Sequence, residues 1–248
     1  MPERGPGGRD VALFIPCYVD QLAPEVGLAT ASVLERLGCR VAFDPGQTCC
    51  GQPFVTTGAR PEAIRLARAH AARFAKADAV VCPSASCVAT VRRRYPELLG
   101  AGEAETLAAR TFELGEFIVR ELGKTDVGAR FPHRVALLES CHGLRELGLG
   151  RPSEQLGGEP SPPGVTERLL RGVTGLELAP IRRRDECCGF GGAFSVGFPE
   201  LSARIGRDKL RALTESGAEY VTGTDASCLL HLEGLRRREG FGPRAIHL

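Results

Sequence analysis

No stretch of this chain approaches the roughly 20 consecutive apolar residues that a membrane-crossing helix needs, and its first residues lack the charged-then-apolar run of a secretory signal. The expectation is a cytoplasmic protein with no membrane span. Charge of one sign is also lacking: the formal net charge is +2, so no overall field points to nucleic acid or to an anionic surface. Three local basic runs, 92–94, 182–184 and 236–238, read as solvated helix ends and loops. Missing too is the run of cysteines spaced by two residues that marks a ferredoxin-type module. No glycine-rich turn follows a strand in the dinucleotide pattern, because Gly189-Phe190-Gly191-Gly192 belongs to a cysteine motif. These absences exclude a built-in ferredoxin relay and a nicotinamide or flavin site.

What the chain has is cysteine, ten in 248 residues, and eight of them fall into two matched sets. The first is Cys17, the pair Cys49-Cys50 followed by Gly51, and Cys87; the second is Cys141, the pair Cys187-Cys188 followed by Gly189, and Cys228. Flanking residues match as well. Val11-Ala12-Leu13 before Cys17 answers Val135-Ala136-Leu137 before Cys141, and Ser86-Cys87 answers Ser227-Cys228. Offsets between partners are similar but unequal, as in a duplication whose loops later changed length.

In a reducing compartment such thiols are poorly explained as structural disulfides. Thiolates select iron–sulfur clusters, zinc or copper(I), and adjacent cysteines do not readily share one tetrahedral ion, whereas a multi-iron cluster offers several corners. An iron–sulfur cluster, of the 4Fe–4S type, one or two per chain, is therefore the expected cofactor. Its candidate ligands are Cys17, Cys49, Cys50, Cys87, Cys141, Cys187, Cys188 and Cys228. A redox-active dithiol in one half, or a zinc-stabilised interaction protein without redox function, stays open on the residues alone. The glycine after each pair lets backbone N–H groups approach sulfur, and helix starts at Cys87 and Cys228 favour thiolate. Cys39 reads as a buried bystander and Cys82 as either a further ligand or a neighbouring thiol. His142 and His231 read as hydrogen-bonding residues. No catalytic acid, base or carboxylate-binding arginine can be singled out, although Arg182 to Arg184 would suit a carboxylate or an acidic surface.

Short Val, Ala and Leu runs at 10–15, 40–43, 79–82, 134–138, 176–179 and 219–222 predict strands. Apolar periodicity predicts helices at 25–37, 61–76, 103–122, 165–171, 200–216 and 227–236. Alternation of the two gives an α/β fold: two similar Rossmann-like parallel-sheet halves, 1–123 and 132–248, related by internal duplication. The long helix 103–122 is expected to dock one half on the other, and the Gly- and Pro-rich stretch 148–164 to be a surface connection. The eight matched cysteines then fall at carboxyl edges of parallel sheets, where such sheets bind ligands.

With Cys49-Cys50-Gly51-Gln52-Pro53, Cys187-Cys188-Gly189-Phe190-Gly191-Gly192 and Ser227-Cys228-Leu229-Leu230 in view, the chain resembles the cysteine-rich domain family. That family is shared by the cysteine-rich component of heterodisulfide reductase, the glycolate oxidase iron–sulfur component and the lactate-utilisation proteins, the last being the nearest. The resemblance implies an iron–sulfur electron-transfer subunit of a system oxidising L-lactate to pyruvate. It also implies as partners a ferredoxin-like iron–sulfur protein and a third small subunit. A glycolate-oxidase or heterodisulfide-reductase-type role is the alternative within the family. One departure matters: the fullest family pattern ends in two cysteines separated by two residues, whereas here Cys82 and Cys87 stand further apart and Cys228 is single. The five-thiolate cluster of heterodisulfide reductases is therefore not implied.

Overall fold

The computed structural model describes residues 8–100, 102–157 and 161–248, and within them two four-stranded, all-parallel sheets with flanking helices. The first sheet holds β1 (Asp10–Leu13), β2 (Arg40–Phe43), β3 (Val80–Cys82) and β4 (Thr111–Glu113) in the order β2-β1-β3-β4. The second holds β5 (Arg134–Leu138), β6 (Glu177–Ala179), β7 (Tyr220–Gly223) and β8 (Arg244–His247) in the order β6-β5-β7-β8. One strand order therefore occurs twice, as the doubled cysteine pattern requires. Val11 pairs with Val41 and Leu13 with Val81, as Val135 pairs with Leu178 and Leu138 with Gly223. The central strands are short and rich in Val, Ala and Leu because helices cover both their faces. Leu138 and Val221 of the second sheet form one buried cluster with the helix residues Leu213, Leu229 and Leu232, and the cluster also takes in Cys188.

The expected helix 103–122 is not continuous. A helix runs over Glu103–Ala109, β4 follows, and helical structure resumes at Leu114–Glu116 and in a π-helical turn at Phe117–Glu121. Thr111, fully buried, donates its hydroxyl to the Leu107 carbonyl at 2.7 Å, and its own carbonyl accepts from the Arg92 guanidinium at 2.6 Å. Those bonds end the helix just where a β-branched and an aromatic residue favour pairing with β3. The spacing of Leu107, Phe112 and Phe117 suggests one buried helical face; a strand between two helical pieces instead buries Leu107 and Phe117 and leaves Phe112 half-buried. β8 has no counterpart among the strands that the sequence predicts.

The chain divides into two compact units: one holds it up to Pro83 together with Thr90–Leu114, the other holds Ser84–Ala89 and Gly115–Leu248. Within the second, Asp225 accepts from the Ser84 hydroxyl at 3.0 Å and the Ser86 N–H at 2.9 Å, and Ala85 N–H donates to the Thr224 carbonyl. Of the stretch 148–164, residues 158–160 lie outside the described residues, and Ser153–Gln155 forms a single 3-10 turn. No helix among the described residues is long and apolar enough to cross a membrane.

The last helix, Ala226–Glu239, is tied to β8 through Glu233, whose carboxylate accepts from Arg236, Arg237 and the Ala245 N–H. The Arg236 bond, followed by that of Arg237, holds its pKa down at about 2. A depressed carboxyl contributes stability above its unfolded pKa and loses it as pH falls through the folded one. Glu233→Gln should thus cost about 1 kcal/mol near neutrality, discounted for partial exposure, and the cost should fade between the ordinary Glu range and about pH 2. Urea unfolding of both proteins across that range checks it.

Candidate cysteine sites

The first site is assembled at the end of β1. Pro16 is extended (φ −61°, ψ 148°) and starts the short helix Cys17–Leu22, so Cys17 opens a helix. Gln47 ties this end to the loop that carries the cysteine pair: its Oε1 accepts from Ile15 N–H at 2.6 Å, and its Nε2 donates to the carbonyls of Leu13 at 3.2 Å and Asp44 at 3.0 Å. Cys49 then shares hydrogen bonds with the thiols of Cys17 and Cys50. Gly51 N–H donates to Cys49 Sγ at 3.3 Å. The Cys17 and Cys50 bonds, opposed by burial, bring the Cys49 thiol down to about 3, which makes it a thiolate at neutral pH.

Cys50 is buried and its carbonyl accepts from the buried Tyr95 hydroxyl at 2.9 Å. Tyr95→Phe would remove that buried hydrogen bond. The expected loss is about 1–3 kcal/mol, read by urea unfolding, and a change below a few tenths would refute the role. Cys87 is buried in the first turns of the helix Ala85–Ala89, which packs within the second compact unit.

The second site gathers all four of its cysteines. Cys141 follows β5 and directly precedes a π-helical turn at His142–Glu146, where Ser140 Oγ accepts from Gly143 N–H at 3.0 Å. Cys187 bonds Cys141 and Cys188, and Cys188 bonds Cys228, in the first turn of the helix that starts at Ala226. Gly189 N–H donates to Cys187 Sγ at 3.3 Å, repeating the contact of the first site. The Cys141 and Cys188 bonds hold Cys187 down at about 2, while Cys141 is pushed up by its bond to Cys187 and by burial. Cys188 goes up for the same kind of reason, through Cys187, Cys228 and burial. Cys187 thus carries the charge, and Cys141 and Cys188 donate to it. Among the described residues no group of three or more His, Cys, Asp or Glu is arranged to hold a lone metal ion.

Of the remaining cysteines, Cys39 precedes β2 at the amino edge of its sheet, and Cys82 ends β3; both are buried. His142 lies 3.7 Å from Glu146. His231 bonds the Ser202 backbone, its ring centroid lies 6.0 Å from that of Phe190, and burial lowers its pKa. Arg184 lines a cavity of about 280 Å³ with Arg171, Glu139 and Glu167, and there Glu139 pairs with Arg184 and Glu167 with Arg171, so each guanidinium of that cavity already has a carboxylate. Sequence reading missed Gln47, Tyr95, His70 and Lys209. Only Gln47 had a signal, its place just ahead of the cysteine pair.

A family model described as a cysteine-rich domain matches residues 11–92 and again 135–233. The chain belongs to that family. Within it the chain is 41% identical over 246 residues to lactate utilization protein A of Exiguobacterium sp., covering 96% of this chain and 95% of that one. It is 38% identical to lactate utilization protein A of Macrococcus caseolyticus (96% and 94% covered) and 39% identical to that of Bacillus velezensis (96% and 96%). Among solved structures, a putative Asp/Glu racemase from Yersinia pestis aligns over 96% of this chain and 93% of its own with 10% identity and a TM-score of 0.34, too low to bear on function.

Proposed function

We propose that this protein is a cytoplasmic iron–sulfur electron-transfer subunit of a system that oxidises L-lactate to pyruvate. The observation that carries the reading is the unbroken chain of sulfurs Cys141–Cys187–Cys188–Cys228, drawn from the ends of three neighbouring strands. A set of four soft donors with one sulfur already ionised fits a polynuclear iron–sulfur cluster. In this reading Cys141, Cys187, Cys188 and Cys228 are the ligands in the half 132–248, and Cys17, Cys49, Cys50 and Cys87 those in the half 1–123. Each set would hold a 4Fe–4S cluster, two per chain.

Such a group supplies one-electron transfer when bound. The chain's own residues supply the rest: Gly51 and Gly189 each aim an N–H at the first sulfur of their pair, and the buried Cys50 and Cys188 keep the inner side dry. Cys17 and Cys187 are exposed and mark the side from which a partner's redox centre could approach. Lactate is the substrate because the chain is similar to lactate utilization proteins A, and the partners we propose are a ferredoxin-like iron–sulfur protein and a third small subunit.

Anaerobic purification or reconstitution should give iron and acid-labile sulfide with an EPR signal on reduction. Stoichiometric zinc without sulfide would overturn the reading. The isolated chain should not pass electrons from L-lactate to a dye, and adding the partner subunits should establish that activity.

A further inference from the structure

Two glycines set the repeats in register. A Cβ on Gly51 would meet the Ala63 carbonyl at 3.7 Å and Leu66 Cβ at 3.5 Å; on Gly189 it would meet the Ser202 carbonyl at 2.4 Å and Ile205 Cβ at 3.2 Å. Ala63 therefore answers Ser202 and Leu66 answers Ile205, on the helices Arg60–Phe74 and Pro199–Glu215. Carried along those helices, the same register brings His70 opposite Lys209. Each helix thus presents a basic side chain at the same step, and both are buried, at 2% and 1% exposure.

The two differ in charge. His70 sits among Phe14, Phe74 and Tyr95, with ring centroids 4.5, 4.7 and 5.4 Å away, and burial lowers its pKa to about 4, so its imidazole is neutral. The Lys209 ammonium donates to the carbonyls of Arg183 at 3.1 Å and Arg184 at 2.7 Å, in the turn that leads into Cys187. Arg183 holds a left-handed backbone, φ 55°, that a non-glycine residue adopts only when its surroundings impose it.

Lys209 lacks a carboxylate of its own. Glu186 pairs with Arg183, Asp185 with Arg145 at 3.2 Å and Glu139 with Arg184 at 3.3 Å. No carboxylate of the described residues forms an ion pair with Lys209. A buried cation held only by carbonyls is costly unless an anion lies near. Burial pushes the Lys209 pKa down, opposed first by Glu186 and Asp185 and then by Cys188 and Glu139, so the cysteine set shares the field of this cation with carboxylates that are each already matched to an arginine.

We infer that Lys209 is the fixed counter-charge and positioning residue of the second cysteine site, holding the turn into Cys187 and setting that site's reduction potential higher than a neutral residue would. The inference rests on the iron–sulfur reading. A cluster ligated by thiolates becomes more negative on reduction, and a nearby cation in a low-dielectric interior favours the reduced form. His70, neutral at the matching step, gives the first site no such help.

The test uses the full chain, reconstituted anaerobically, as wild type, K209Q, K209M and K209R. Iron and sulfide are measured first, then midpoint potentials by EPR-monitored redox titration, with Cys188→Ser assigning the signals. K209Q keeps a donor for the carbonyls without the charge, and K209M keeps length without either. Both should lower the second-site midpoint and leave the first unmoved, and K209R should return it toward wild type. If one neutral variant fails to fold, by circular dichroism, the other carries the measurement. An unchanged second-site midpoint with cluster content retained would overturn the inference alone. A wild-type protein with neither iron nor sulfide would overturn the iron–sulfur reading, and the inference with it.

Discussion

Replacing Cys188 with serine should erase the cluster signal of the second half and leave that of the first, and replacing Cys50 should do the reverse. In each variant iron and sulfide should fall to roughly half of the wild-type content, as expected when one of two ligand sets is broken. Both residues are the inner, buried members of their pairs, and Cys188 is packed in the cluster that contains Leu138, Val221 and Leu232. Serine there places a poor ligand for iron at a position that solvent cannot reach to compensate. Cys39→Ser is the control: Cys39 is just as buried, yet it precedes β2 at the opposite edge of the sheet. Equal loss of signal in that variant would show the ligand placement to be wrong.

The second large effect separates two glycines that look identical in sequence. Gly51 and Gly189 both take positive φ, 86° and 90°, so a side chain at either is strained by about 1–2 kcal/mol. At Gly51 an added Cβ meets nothing closer than 3.5 Å, which is ordinary contact. At Gly189 it would come within 2.4 Å of the Ser202 carbonyl and 2.8 Å of Gly206 N, both backbone atoms that cannot swing aside. Overpacking adds about 1–3 kcal/mol, so Gly189→Ala should cost about 3 kcal/mol or more and Gly51→Ala about 1–2. Chemical denaturation of the two variants decides it, and equal losses would contradict the close packing described for the second site.

The pairing of Cys17 with Cys141 and of the two Cys-Cys-Gly turns was legible because thiols carry chemistry that few other side chains share, and because their neighbours repeat. The parallel sheets followed, since Val and Ala runs separated by helical periodicity have few other folds available. Thr111–Glu113 was not legible: a three-residue strand flanked by helical pieces leaves the apolar spacing of a helix intact, and its partner β3 is distant in sequence. His70 and Lys209 were invisible for another reason. A lone His or Lys within an amphipathic pattern looks like any solvated position, and only the register set by Gly51 and Gly189 shows that both fall on the inner side. Arg184 ran the other way: the basic run 182–184 would suit a carboxylate or an acidic surface, but the Arg184 guanidinium is matched by Glu139.

The short helix Ala85–Ala89 follows the third strand of the first sheet yet belongs, with Asp225 as its acceptor, to the second compact unit. The polypeptide consequently passes from one unit to the other at Pro83, at Ala89 and at Leu114, rather than once. Severing the backbone in the Gly123–Pro132 connection would not release two self-sufficient foldons. Fragment 1–123 would carry Ser84 and Ser86 without their carboxylate, and fragment 132–248 would retain Asp225 with nothing to receive. Fragment complementation, in which neither piece is protease-resistant until the other is added, is the behaviour such an interleaved chain should display.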